Sequence, residues 1–140
     1  MRTEQNMYKK LRIESVTNNL RVVEKAIDDV TNDLGIPQDN YGKIMVSAME
    51  AVNNAIVHGN KSNPGKFVSI TISHRENEVK IKVIDQGPGF KPSEVPDPTT
   101  PENIEMINGR GVFLMSHLAD EITFSKKGNS VTMVFKNVKT

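Results

Sequence analysis

The chain has 140 residues, 36% of them hydrophobic and 25% charged, with a formal net charge of +1 and no cysteine. That length supports one domain with one core, and the missing cysteines exclude disulfides, cysteine–zinc sites and thiol catalysis. The near-neutral charge leaves no global field for nucleic acid, so any anion site must be local.

In chain order, Leu11, Ile13 and Ser15 share one side of a short first strand. The apolar residues Leu20, Val23, Ile27, Val30 and Leu34 then recur at alternating spacings of three and four, one stripe of an amphipathic helix. Thr17, Asn18 or Asn19 can cap its start, and Gly35 and Pro37 end it. A second helix is expected over 38–58, with Tyr41, Ile44, Met45, Ala48, Val52, Ala55 and Ile56 as its stripe and Gly59 as its C-cap. Two alternating segments follow, around Val68, Ile70 and Ile72 and around Val79, Ile81 and Val83, and read as a hairpin with one buried face. Residues 88–108, rich in Pro, Asp and Thr at first, have the length and composition of a lid or binding loop. Gly109-Arg110-Gly111 opens a short helix to Leu118, and strands over 121–125 and 130–137 complete the chain.

The hairpins demand antiparallel pairing, and the helices must cover one face of the sheet. The expected fold is α+β: a two-layer sandwich with a mixed, mostly antiparallel sheet covered on one face by three helices. No signal peptide opens the chain and no run approaches the roughly 20 apolar residues needed to span a bilayer. The expectation is a single cytoplasmic domain over 1–140, with no membrane partner and, lacking an aromatic-rich basic patch, no nucleic-acid partner.

Three local features carry chemistry. Glu50, Asn54 and His58, four apart, form a polar line on the second helix, beside its apolar stripe. Glu50 can accept or orient a proton, and the Asn54 carbonyl oxygen is a hard ligand suited to Mg2+. Asp85 continues the parity of Val79, Ile81 and Val83, so its carboxylate points to the core side at the strand's end, where it needs hydrogen-bond donors. Gly87 and Gly89 let the backbone turn sharply and approach a ligand there. The third feature is Gly109-Arg110-Gly111-Val112-Phe113-Leu114, whose helix start presents free N–H groups to an anion, with Arg110 to neutralise phosphate charge. Singly, these also describe a solvated helix face, a strand-ending turn and an N-cap. In this order they supply the parts of a nucleotide site: metal and base, adenine, phosphates.

The segment from Glu50 to Lys61 resembles the N box, Asp85 to Phe90 the G1 box, and Gly109 to Leu114 the G2 box of the Bergerat-fold ATPases, the superfamily of gyrase, the Hsp90 chaperones, histidine kinases and the MutL proteins. Within it the chain is most similar to the bacterial anti-sigma factor serine/threonine kinases, over about 11–135. The resemblance implies ATP and Mg2+ as cofactors, with Asn54 ligating Mg2+ and Glu50 as the general base for an acceptor hydroxyl. It implies that Asp85 accepts from the adenine amino group and that Gly87 and Gly89 let the chain pass the nucleotide. Gly109, Arg110 and Gly111 would cradle the phosphates beneath a lid over 91–108, with Val112 and Phe113 also among the nucleotide-binding residues. His58 stands at a position common in the group, and a histidine bonded to a helix-end carbonyl is the reading of it. Where the group often has Gly-Thr before the last strand, this chain has Gly128-Asn129, whose amide is expected to face the pocket. The implied activity is phosphorylation of a small anti-sigma antagonist by a homodimer that also holds a sigma factor inactive. The alternative is a non-catalytic ATP-binding module that sequesters a sigma factor or another regulator.

Overall fold

The computed structural model describes residues 7–88, 115–125 and 127–140. Strand β1 (Met7–Glu14) leads through a 3-10 turn (Thr17–Asn19) into α1 (Leu20–Asp33) and α2 (Gln38–Asn54). Strands β2 (Phe67–Arg75) and β3 (Glu78–Ile84) form the first hairpin. After a helical turn at 115–118, β4 (Glu121–Phe124) and β5 (Ser130–Lys136) form the second.

The sheet order is β1-β2-β3-β5-β4. Every pairing between the described strands is antiparallel, with none of the parallel pairs that a mixed sheet would contain. The reason lies in the connection from β1 to β2. A single crossover helix returns the chain parallel, whereas α1 and α2 in succession add one more reversal. One row of the core face runs Leu11, Ile70, Val83, Val131 and Phe124 across all five strands. The row Lys10, Thr71, Lys82, Thr132 and Thr123 crosses the opposite face, so period-two alternation divides the sheet into an apolar and a polar side.

Both helices cover the apolar face. From α1, Val23, Ala26, Ile27 and Val30 are buried, and from α2, Ile44, Ala48, Ala51 and Val52. Met115 and Ala119 join the same core, so the last helical turn lies on that side too. The small side chains of Ala48 and Ala51 let α2 lie close to the strands. The Tyr41 hydroxyl donates to Asp28 and ties α2 to α1.

The start of α1 differs from expectation. No side chain caps it; Thr17 to Asn19 tighten into the 3-10 turn, and the Asn19 amide instead donates to the Glu14 carbonyl at 3.0 Å. Its end is as expected. Gly35 has φ of +66°, its N–H reaches Asn32 O at 3.1 Å, and the Ile36 N–H reaches Thr31 O at 3.0 Å. This paired closure satisfies the last carbonyls and uses the left-handed conformation that glycine adopts without penalty.

Candidate functional site

The second helix does not stay α-helical to its end. Ala55–Gly59 forms a π-helical turn, in which the Asn60 N–H donates to Ala55 O at 2.8 Å, five residues back. Gly59 is therefore not a left-handed C-cap; Lys61 and Ser62, both with φ of 56°, carry the left-handed conformations that turn the chain away. What requires glycine at 59 is proximity. A Cβ there would overlap the Asp85 carboxylate, and a Cβ at Gly87 would overlap the Gly59 carbonyl oxygen. The three residues form a close-packed cradle where the end of the second helix meets the end of β3.

Asp85 follows β3 directly, and its backbone N–H donates to Asn129 O at 2.9 Å. Its Oδ1 accepts from the Gly87 N–H at 2.8 Å, which closes the turn. Among the described residues, Oδ2 has no hydrogen-bond partner although the side chain is half-buried. Burial pushes the Asp85 carboxyl above the usual aspartate range, against the opposing pull of the Gly87 N–H and of the Lys66 and Lys127 charges. A half-buried carboxylate with one unused oxygen is an acceptor that still needs a donor.

Asn60, Ser15 and Gln86 complete the surroundings. The Asn60 side chain is 0% exposed. Its Oδ1 accepts from the Gln86 N–H at 2.7 Å, and its Nδ2 donates to Ser15 Oγ at 2.7 Å and to Phe67 O at 3.0 Å. Gln86 Oε1 in turn accepts from the Phe67 N–H at 2.6 Å. In sequence Asn60 lies near the end of the N-box segment with no role of its own; these partners lie 7 to 45 residues away, and no local spacing signals them.

Beyond Asp85 and Gly87, the expected residues fall into four groups. Glu50 and Asn54 lie half-buried on α2, on the helix that delivers Gly59 to Asp85. His58 lies in the π turn; it is exposed and, among the described residues, bonds no carbonyl. Asn129 does adjoin Asp85, but its amide is engaged: Nδ2 donates to Asp85 O at 3.1 Å, and Oδ1 accepts from Ser125 Oγ at 3.4 Å. The amide thus braces the turn from the β4–β5 hairpin. Gly89, Gly109, Arg110, Gly111, Val112, Phe113 and the lid over 91–108 lie outside the described residues.

The residues present fit a nucleotide better than a metal cage. No cluster of three or more His, Cys, Asp or Glu side chains that could hold a metal occurs among the described residues. Mg2+ bound to a nucleotide needs few protein ligands, since phosphates and water fill most of its octahedron. The glycine cradle and the unused Asp85 oxygen suit a flat, amino-bearing ring.

Residues 13–135 match the family of the histidine kinase-like ATPase domain. The chain belongs to that family. It is 25% identical over 136 residues to the serine-protein kinase RsbW of Staphylococcus aureus, strains JH9 and Newman, covering 92% of this chain and 86% of each relative. Its fold is similar to a crystal structure of the RsbU and RsbW domains of Rv1364c from Mycobacterium tuberculosis, with a TM-score of 0.63 at 15% identity. That match covers 93% of this chain, which spans 32% of the solved one. The α+β sandwich is thus shared with that solved structure, and no helix among the described residues is long and apolar enough to cross a membrane.

Proposed function

We propose that this chain is an ATP-dependent protein kinase that phosphorylates a serine or threonine of a small partner protein. The observation that carries the reading is the Asp85 carboxylate, fixed through Oδ1 and open at Oδ2 in a cradle that only glycines at 59 and 87 leave free. An adenine amino group is the donor that fits it. Membership of the ATPase family and similarity to serine-protein kinases support the same choice.

Asn54 would hold Mg2+ through its neutral carbonyl oxygen, and the ion would offset the charge of the nucleotide phosphates. Gly87 and Gly89 would let the chain pass the nucleotide, and the 109–113 segment, with Arg110, would bind those phosphates under the lid over 91–108. Glu50 takes the proton of the acceptor hydroxyl as the hydroxyl oxygen bonds to the γ-phosphorus and the bond from that phosphorus to the ADP oxygen breaks. This chemistry relies on positioning and charge neutralisation, with little covalent work for the protein. By its resemblance to the anti-sigma kinases, the phosphorylated partner is an anti-sigma antagonist. The chain then restrains a sigma factor, acts as a homodimer and works in the cytoplasm.

Incubation with radiolabelled ATP and a candidate antagonist tests the reading. Label is expected on a partner serine or threonine. Glu50→Ala is expected to keep ATP binding and lose about 100-fold or more in transfer. Asn54→Ala is expected to weaken only the Mg2+-dependent part of ATP binding. Nucleotide binding without transfer to any antagonist would replace the kinase by a binding module, and normal transfer by Glu50→Ala would remove its role as base.

A further inference from the structure

We propose that Asn60 is a positioning residue for base recognition, holding the Asp85 turn in the orientation that reads an adenine amino group; this rests on the adenine reading of Asp85. Asn60 lies in the interior, where an apolar side chain would serve the fold without the cost of a buried amide. Its amide spends its polar groups on three directions. The acceptor holds the Gln86 N–H, in the peptide that joins Asp85 to Gln86, and the donors hold Ser15 Oγ beyond the end of β1 and Phe67 O at the start of β2. Ser15 Oγ passes the tie onward to Lys66 O at 2.8 Å, and Phe67 returns its N–H to the Gln86 side chain.

The arrangement has a specific consequence. Asp85 Oδ1 is already committed to the Gly87 N–H, so the direction of Oδ2 follows the backbone of 85–87. That backbone is held on one side by Asn129, through Asp85 N–H and C=O, and on the other by Asn60. The π turn brings Asn60 to this place, since its own N–H closes the turn on Ala55. Removing the Asn60 side chain frees one side of the turn and leaves the carboxylate's chemistry untouched. Asn60 therefore sets how sharply the site distinguishes an amino group from a carbonyl at the same ring position.

The test compares the affinities of the full chain for ATP and for inosine triphosphate, whose ring has a carbonyl where adenine has its amino group. The unaltered chain is expected to prefer ATP. Asn60→Ala is expected to shrink that preference about tenfold and to speed amide hydrogen exchange at Gln86 in the nucleotide-free protein. Asn60→Asp keeps an acceptor for the Gln86 N–H and is expected to retain most of the preference. Should Asn60→Ala fail to fold, Ser15→Ala carries the test, because it removes one anchor of the same amide. A lower melting temperature with an unchanged ATP preference in the folded variant would reduce Asn60 to a structural residue and overturn the proposal. Asp85→Asn separates the two readings. If it leaves the ATP preference intact, the adenine assignment fails; if it abolishes the preference while Asn60→Ala and Ser15→Ala do not, only the positioning role fails.

Discussion

The Asp85 carboxyl is held above the ordinary aspartate range by burial, and the Gly87 N–H with the nearby Lys66 and Lys127 only partly offsets that push. A carboxyl with a folded-state pKa above its unfolded value binds its proton more tightly in the fold. The ionised group therefore costs stability at neutral pH, and this cost fades as the pH falls through the raised folded pKa and is gone below the unfolded one. Asp85→Asn is expected to raise stability at pH 7, with a smaller gain in acid, while losing ATP binding. Thermal melts at the two pH values, paired with nucleotide titration, check this. Since only the ionised form can accept from Gly87 at Oδ1 and still accept from an amino group at Oδ2, ATP affinity is expected to decline on acidification at a pH above the ordinary aspartate range. The two glycines are unequal neighbours of this carboxylate. A methyl at 59 meets a side chain that can rotate, whereas a methyl at 87 meets the Gly59 backbone. Gly87→Ala is expected to cost about 1–3 kcal/mol, and Gly59→Ala to cost less stability while displacing Asp85 and weakening ATP binding. Denaturant melts and nucleotide titration of the pair separate the two effects.

At the scale of elements, α2 shows both what sequence makes legible and what it hides. Its apolar stripe follows the 3.6-residue period, so Ile44, Ala48 and Val52 were readable as core. So were the alternating strands, and with them the parity that turned Asp85 toward the helices. The π turn was not readable, because a shift from four-back to five-back hydrogen bonds leaves no mark on hydrophobic spacing. The role of Asn60 was hidden with it, as its partners sit on β1, β2 and the turn after β3. Periodicity also missed Ser47, which lies buried on α2 with a hydroxyl that has no hydrogen-bond partner among the described residues. Removing an unsatisfied buried hydroxyl relieves a desolvation cost, and alanine favours the helix. Ser47→Ala is expected to stabilise the protein by about 1 kcal/mol, read as a higher midpoint in urea at an unchanged slope.

For the molecule as a whole, the layer arrangement was legible because hairpins fix antiparallel neighbours and amphipathic helices must lie on one face. The strand order was not, since the place of β5 between β3 and β4 depends on pairing across distant segments. That order matters because it sets the β4–β5 hairpin beside Asp85 and so gives the site its second brace. A site built from the ends of a helix and two hairpins couples ligand binding to the stability of the entire domain. ATP at 100 times its dissociation constant is expected to add about 2.7 kcal/mol, seen as a rise in melting temperature that Asp85→Asn abolishes. The π turn also bears on how this chain can change in length. Loss of one residue within 55–59 would restore an unbroken α-helix and swing everything after it by roughly 100° about the helix axis. Gly59 and Asn60 would then leave the Asp85 turn together. Substitutions here can be graded in their effect, but a deletion cannot, so the number of residues between Asn54 and Asn60 is a property that descendants of this sequence can vary only by giving up the site.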